Sequence, residues 1–276
     1  MSQTSRALMT PTAVAALLTL TACGGGQAAD EPPALSKIQE RMWDAMQDEG
    51  SVTITADLSM LAAEQDDATE IFGSMLGDLS TVTIYGELDG SATAVGFGDD
   101  DFMRVFGQDE AYLAGDAMFS MIESFGGGAM DESEQEMFEA MAEEFAGTWI
   151  NFSDQMDDQG DDMNISELFG NLRDDWGEDG GDAPLDLNQL SDEAVFEQRD
   201  GVDVWVYAGQ EEGQELVLEA NHDAPKILEM ASDGARMTFS EWGNTTAPEP
   251  PAENDVIDEE EMQQRMMQHM LGDLGN

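Results

Sequence analysis

The sequence predicts an α+β domain in which one antiparallel sheet wraps around helices from the middle of the chain. Three observations favour this class. Apolar residues recur at every second position in two blocks, residues 51–114 and 195–241. Segments with helical periodicity lie between these blocks. Turn signals recur about every 8–12 residues, which is typical of short antiparallel strands.

Residues 1–22 have the three parts of a secretory signal: a polar start with Arg6, an apolar core, and small residues before the only cysteine. The stretch Leu20-Thr21-Ala22-Cys23 precedes three glycines and resembles the bacterial lipobox, in which the cysteine thiol receives a diacylglyceryl group. The resemblance implies that Cys23 is acylated, palmitate included, and becomes the new N-terminus. We therefore expect a lipid anchor at Cys23 and a place on the extracytoplasmic face of the cell membrane.

Composition divides the rest of the chain into three parts. Residues 23–34 are rich in glycine, alanine and proline and predict a flexible, lipid-anchored linker. Residues 35–246 carry the strand and helix patterns of one domain, which no disulfide can hold because the chain has a single cysteine. Residues 247–276 form a tail that is first rich in proline and glutamate and then in methionine. Its amphipathic end fits either a helix packed on the domain or a loosely ordered end.

The domain begins with a helix and continues with strands. Ser36 and Gln39 have capping-box spacing, and Gly50 ends the helix. The helix has an apolar stripe at Leu35, Ile38, Met42 and Met46. The period then changes to two, with a hairpin signal at Asp89-Gly90. Four or five short strands are predicted in this block, from the segments 52–58, 82–88, 92–97, 102–106 and 111–114.

The middle of the chain predicts three further helices and the end predicts a second group of strands. The helices lie at residues 116–125, 133–146 and 165–172, and a short strand at 149–152 separates the last two. Asp200-Gly201 and Asp233-Gly234 are tight-turn signals in the last block. Its strands are predicted at residues 195–199, 202–208, 215–220, 226–231 and 235–241.

The charge balance restricts the possible partners. Asp and Glu number 61 against 9 Lys and Arg, which gives a formal net charge of −52. Nucleic acid is excluded as a partner because phosphate binding needs basic residues, and direct adhesion to an anionic membrane surface is disfavoured. A strongly acidic surface keeps a protein hydrated and monomeric, as in adaptation to high salt. It also favours weak association with divalent cations.

No motif points to catalysis or to a dedicated metal site. The two histidines, His222 and His269, have no second ligand at metal-binding spacing. The acidic run at 154–162 fails the EF-hand pattern when Gly160 is placed at its sixth position, and the run at 174–182 matches it only weakly with Gly180 there. The sequence carries no nucleophile elbow, P-loop or dinucleotide fingerprint. We therefore expect a non-enzymatic protein with no catalytic residues, no cofactor and no metal.

Several stretches resemble those of the actinobacterial lipoproteins of the LppX/LprG type and their LolA-like relatives. They are the lipobox, the early helix followed by a long meander, Gly147-Thr148-Trp149-Ile150, the Pro225-led strand, and the exit 239–244 before a proline-rich stretch. The resemblance covers roughly residues 35–252. It implies a single strongly curved antiparallel sheet, a half-barrel, with helices over its concave face. Between sheet and helices such a fold encloses an apolar cavity that accepts lipid acyl chains.

On this resemblance we expect a membrane-anchored lipoprotein that binds a lipid for transport or presentation in the cell envelope. Methionine, present 20 times, suits an adaptable pocket. The alternative that the same residues allow is plain core packing in an acidic interaction or cation-binding lipoprotein without a ligand cavity. The candidate cavity residues are Ile84, Val95, Phe97, Val105 and Phe106 on strands, and Met118, Met121, Ile122, Met137, Phe138 and Met141 on helices.

Overall fold

The computed structural model describes residues 31–57, 81–98, 100–119, 132–153, 164–175, 189–232 and 235–273. A short helical segment at residues 115–119 follows β5, and a 3-10 turn, Glu253–Asp255, precedes β12. The other elements are α1 Leu35–Glu49, β1 Ser51–Asp57, β2 Thr81–Glu87, β3 Thr93–Phe97, β4 Asp100–Phe106, β5 Glu110–Ala114, α2 Glu132–Glu144, β6 Trp149–Asn151, α3 Ile165–Asp175, β7 Ala194–Arg199, β8 Val202–Ala208, β9 Glu215–Glu219, β10 Ile227–Ser232, β11 Ala235–Ser240, β12 Val256–Asp258 and α4 Glu259–Asp273.

The strands form one twelve-stranded sheet in the order β12-β6-β5-β4-β3-β2-β1-β11-β10-β9-β8-β7. Neighbours are antiparallel except β12 and β6, which run parallel. The sheet is not closed, because β12 and β7 lie at opposite ends of this order. The two strand blocks meet where β1 pairs with β11. The prediction of an α+β fold built on one large antiparallel sheet is therefore confirmed.

One face of this sheet is apolar across most of its width, and we call it the apolar face. Directly opposed residues in neighbouring strands point to the same side of a sheet. The register places a single apolar row across β11, β1, β2, β3, β4, β5, β6 and β12. Its members, in that order, are Phe239, Ile54, Ile84, Val95, Met103, Leu113, Ile150 and Ile257.

Helices α1 and α3 pack against one end of the apolar face. The apolar stripe predicted for α1 is confirmed, since its four residues are all buried, and Trp43 joins them. Phe169 of α3 contacts Trp43, Phe239 and Trp242 edge to face, with ring centroids 5.9–6.4 Å apart. These helices and strands β1, β8, β9, β10 and β11 share one hydrophobic cluster, the first cluster.

The start of α1 differs from the predicted capping box. The N-cap position is Ala34, which has no side-chain cap, and Ser36 lies inside the helix. Asp192, 156 positions further along the chain, caps it instead. Its carboxylate accepts from the Ser36 amide at 2.8 Å and from the Ser36 hydroxyl at 3.1 Å. These hydrogen bonds hold the pKa of Asp192 below the ordinary value of 3.8. A distant loop therefore supplies what the local motif was expected to supply.

This cap predicts a pH-dependent contribution to stability. Because the pKa of Asp192 is lowered in the folded state, its contribution is present above the ordinary aspartate pKa and is lost as the pH falls through the lowered value. We expect Asp192→Ala to lower the melting temperature at pH 7 and to have little effect near pH 2. Asp192→Asn keeps an acceptor oxygen and is the control. Thermal melts from pH 2 to pH 7 measure the difference. Equal effects of Asp192→Ala at both ends of that range would contradict it.

We call the other side of the sheet the polar face, although Val204, Val206 and Val217 form a small buried apolar cluster on it at β8 and β9. A proline-rich segment crosses this face. Residues 244–255, which we call the strap, connect β11 in the middle of the sheet with β12 at its edge. Near its start the Thr245 hydroxyl lies 3.0 Å from that of Thr53 on β1. Further along, the carbonyl of Glu249 accepts from Arg104 Nη1 on β4 at 3.0 Å. The strap thus crosses β2 and β3 between these two points.

Several groups outside the strap position Arg104 for this contact. Its Nε and Nη2 donate to Asp101 Oδ2 at 2.9 and 2.7 Å, and the guanidinium lies 4.5 Å from the ring centroid of Trp149. The Tyr85 hydroxyl donates to both oxygens of Asp101 at 2.8 and 2.9 Å. Burial and the neighbouring Asp101 carboxylate raise the pKa of Tyr85 to about 12. The tyrosine consequently stays a neutral donor across the physiological range.

We expect Arg104→Ala to lower the free energy of unfolding by about 2 kcal/mol, because the charged hydrogen bonds and the ring contact are lost together. Arg265→Ala is the matched control, since its i,i+4 pair with Glu261 is more exposed and is worth less than about 0.5 kcal/mol. Urea titrations of both variants measure the two losses. Losses of equal size would show that the strap does not depend on Arg104.

Candidate functional site

The middle of the apolar face carries a third hydrophobic cluster that lies between two helix-covered ends. Met103, Val105 and Ala111 are buried in it. Val95, Phe102, Leu113 and Phe152 pack against these residues while partly exposed. All seven come from β3, β4, β5 or the residue after β6. Within the described ranges, no helix residue belongs to this cluster.

Exposure rises along the apolar row at this place. Ile54, under the first cluster, is 1% exposed, and Ile150, near the other end, is 3% exposed. Between them Ile84, Val95 and Leu113 are only half-buried. Of these three residues, Val95 and Leu113 belong to the cluster that contains no described helix residue, whereas Ile84 packs against the first cluster. Met103, which lies between Val95 and Leu113 in the row, is buried.

A β-bulge shapes this part of the sheet. Val95 pairs with Met103, whereas Gly96 pairs with Asp101, so Phe102 is an extra residue in β4. Phe102 contacts Phe97 edge to face at 5.3 Å between ring centroids. A Cβ at Gly96 would lie 2.8 Å from the carbonyl oxygen of Asp100, so the close approach requires glycine. Bulges bend the strand and increase its twist, which here occurs beside the third cluster.

The far end of the apolar face carries the second cluster, which is rich in methionine and phenylalanine. Phe119, Met141, Phe145, Ile150 and Ile257 are buried in it, and partly buried side chains surround them: Met118, Met137, Phe138, Ala142, Met262 and Met266. The chain passes close to α2 here, because a Cβ at Gly115 would lie 2.8 Å from the Cβ of Phe145.

The predicted tail takes part in the second cluster. Residues 256–258 form β12 beside β6, and the following helix, α4, contributes Met262 and Met266. Of the two alternatives that the sequence left open, the structure has the helix packed on the domain. Methionine side chains are unbranched and adapt to irregular packing. The second cluster adjoins the third where Ile150 pairs with Leu113.

The candidate cavity residues divide among these clusters. Ile84 packs against the first cluster, Val95 and Val105 belong to the third, and the four described helical candidates, Met118, Met137, Phe138 and Met141, belong to the second. Phe97 shares the side of Ile84 and Val95 through its pairing with Val82. Phe106 does not join them. It follows Val105 directly, so it lies on the polar face, 6.1 Å from the Tyr112 ring. Cys23, Met121 and Ile122 lie outside the described residues.

Several residues of the site were not predicted. Met103 and Leu113 occupy the centre of the apolar row, and the alternation of Ala111 with Leu113 was the available signal for β5. Phe119, Phe145 and Ile257 complete the second cluster. The place of Ile257 could not follow from local pattern, since β12 lies more than a hundred positions from its partner β6.

The polar groups near this site have structural roles. Thr93, which is fully buried, accepts through Oγ1 from the Ile165 amide at 3.1 Å and so fixes the start of α3 on the sheet. Asn164 caps the same helix by accepting from the Glu167 amide at 2.9 Å. In the described part of the chain, no three His, Cys, Asp or Glu side chains come together as metal ligands would. Most of the predicted acidic runs fall outside that part.

Two surface pockets are lined mainly by polar side chains. One, of about 540 Å³, follows the outer side of α4 along Asp258, Glu261, Gln264 and Arg265. The other, of about 300 Å³, lies between the end of α1 and the β2–β3 loop, at Gln47 and Asp89. Neither includes a candidate cavity residue.

Comparisons with known proteins assign no family to this chain. No protein-family model matches it, and no curated protein matches it either. Of the helices that the structure describes, none is both long and apolar enough to span a membrane.

Proposed function

We propose that this protein is an exported lipoprotein, anchored to the membrane through Cys23, that binds lipid acyl chains at the middle of the apolar face. It would carry or present the lipid in the cell envelope without catalysing a reaction. The proposal includes a sheet curved into a half-barrel, with the helices over its concave face. The ligand then lies between the sheet and the helix layers.

The observation that carries the proposal is the third cluster. Its half-buried members, Val95 and Leu113, lie on the apolar face between the two ends of that face against which helices pack. The row from Ile84 to Leu113 crosses β2, β3, β4 and β5, and all its members except the buried Met103 are half-buried. Three inter-strand spacings make it about 14 Å long, which is comparable with the length of a fatty-acyl chain. The apolar row thus offers a surface of the right size and chemistry.

The energetics of such a site would be hydrophobic. Each methylene buried contributes about 0.8 kcal/mol, from which the cost of ordering the chain and of association is subtracted. The third cluster offers apolar side chains, so specificity would come from the shape of the site. The adaptable methionine wall of the second cluster would adjust to chains of different length.

Native mass spectrometry on a soluble form that starts at Gly24 tests this function. The protein is purified from an actinobacterial host and co-purifying lipid is extracted with organic solvent. We expect one acyl lipid per protein. A lipid-free protein that also ignores added phospholipid vesicles would reject the proposal. That result would favour the alternative of an acidic interaction or cation-binding lipoprotein. Titration with calcium in a calorimeter then tests for cation binding.

A further inference from the structure

Strand β7 ends the sheet on the side away from β12. It has six residues, whereas β12 has three. Its neighbour is β8, and among the described residues no strand pairs with its outer side. A six-residue edge strand presents enough unpaired backbone groups to accept another strand.

The turn after β7 decides which backbone groups face outward. Asp200 and Gly201 have φ values of 50° and 85°, and two positive φ values identify a two-residue type I′ turn. In such a hairpin the residues that flank the turn, Arg199 and Val202, form a hydrogen-bonded pair, and the pattern alternates along the strand. Ala194, Phe196 and Gln198 therefore direct their N–H and C=O groups away from β8.

The side chains along this edge are unusually accessible. Val195 is 62% exposed and Val202 is 44% exposed, and Met267 on α4 is the other large apolar residue exposed to this degree in the described part of the chain. Proteins commonly protect edge strands with lysine or proline. Strand β7, with the sequence Ala-Val-Phe-Glu-Gln-Arg, contains neither.

The charge around the edge selects the kind of partner. The acidic residues near β7 are Asp192, Glu193, Glu197, Asp200 and Asp203. The basic residue of the strand, Arg199, is already paired with Glu215 at 3.0 Å and with Glu197 at 3.2 Å. A second copy of a chain with a net charge of −52 would be repelled, whereas a basic segment would be attracted.

We propose that the outer edge of β7 is a docking surface for a basic extended segment of a partner protein, which adds to the sheet as a further strand. Backbone hydrogen bonds to Ala194, Phe196 and Gln198 supply the pairing. Small apolar side chains of the segment contact Val195, and its lysine or arginine residues face the surrounding carboxylates. This role is independent of lipid binding on the apolar face.

The test uses a fluorescein-labelled heptapeptide of alternating lysine and valine and the soluble chain from Gly24, and binding is followed by fluorescence anisotropy. Gln198→Pro removes an outward N–H without changing charge, and Gln198→Ala keeps that N–H while removing the side chain. We expect Gln198→Pro to weaken binding about tenfold or more, as loss of strand pairing requires, and Gln198→Ala to bind like the parent protein.

A second pair of variants distinguishes binding at the edge of β7 from nonspecific attraction to the negative charge of the whole protein. Val195→Lys and Met267→Lys each add one positive charge at an exposed apolar residue, but only the first lies on β7. We expect Val195→Lys alone to weaken peptide binding severalfold. Equal binding by all four variants and the parent would overturn the proposal, because nonspecific charge attraction would then explain the affinity. Dimers that Gln198→Pro abolishes, seen by light scattering, would overturn it in favour of a second copy. Circular dichroism verifies that each variant is folded.

Discussion

Leu113→Asp is expected to abolish lipid co-purification, because it places a charge on the most accessible stretch of the apolar row. The side chain of Leu113 is half-buried beside Met103 and Ile150. An acyl chain that packs against a carboxylate loses the favourable free energy of leaving water for an apolar surface. It also removes water from the charged group, which costs free energy. We expect the bound lipid to fall at least about tenfold, which corresponds to about 1.4 kcal/mol. Native mass spectrometry of the purified variant measures the loss.

The neighbouring residue provides the matched control for this experiment. Tyr112 precedes Leu113 on β5 and points to the polar face, where it pairs with Arg104. Tyr112→Asp introduces the same side chain into the same strand on the opposite side. It should retain lipid, and Leu113→Met should retain it as well. Equal loss in Tyr112→Asp and Leu113→Asp would show that the strand, and not the apolar face, determines the result.

Ile257→Asp is expected to destabilise the protein by about 3 kcal/mol or more. Ile257 is 7% exposed in the second cluster and lies opposite Ile150 in the parallel pair of β12 with β6. A carboxylate there loses the packing of a buried isoleucine and is itself poorly solvated. Urea unfolding followed by circular dichroism measures the change in the free energy of unfolding.

Met267→Asp is the control for this second prediction. Met267 lies on α4 in the same tail, but its side chain is 57% exposed. Substitution of an exposed residue that takes no part in a cap, an ion pair or the core changes the free energy of unfolding by about 0.5 kcal/mol or less. If Ile257→Asp were as mild as Met267→Asp, the tail would not be part of the folded domain. The second cluster would then lack its cover from α4.

The sequence predicted the sheet well where one side of a strand is buried. Val52, Ile54 and Ala56 alternate with polar residues in β1, and this is the pattern that a half-buried strand imposes. Strand β12 was missed because three residues are too few to show a period. Its parallel partner β6 is also remote in sequence, so no turn signal connects the two.

Local rules failed where a distant segment supplied the interaction. Ser36 and Gln39 have the spacing of a capping box, yet Asp192 caps α1 from a loop before β7. Nothing in the residues around Ser36 indicates this. The carboxylate reaches the helix only because β7 and β8 place the loop there, as the hydrogen bond from the Leu35 amide to the Asp192 carbonyl at 3.2 Å shows.

The candidate site could be predicted only in part. Val95 and Val105 were among the candidates on the predicted strands, and both belong to the third cluster. Phe106 was named together with Val105, although two consecutive residues of a strand face opposite sides of the sheet. Met103 and Leu113 were missed because the cluster depends on the register across the bulge at Phe102. That register is a tertiary property.

Photo-crosslinking tests the central claim most directly. The soluble chain from Gly24 is loaded with a phospholipid that carries a diazirine on its acyl chain, irradiated and digested, and the labelled residues are identified by mass spectrometry. The account predicts labels on Val95, Met103 and Leu113, with the methionines of the second cluster next. Labels confined to the polar face, at Tyr112 or Trp149, or to exposed Met267, would contradict it.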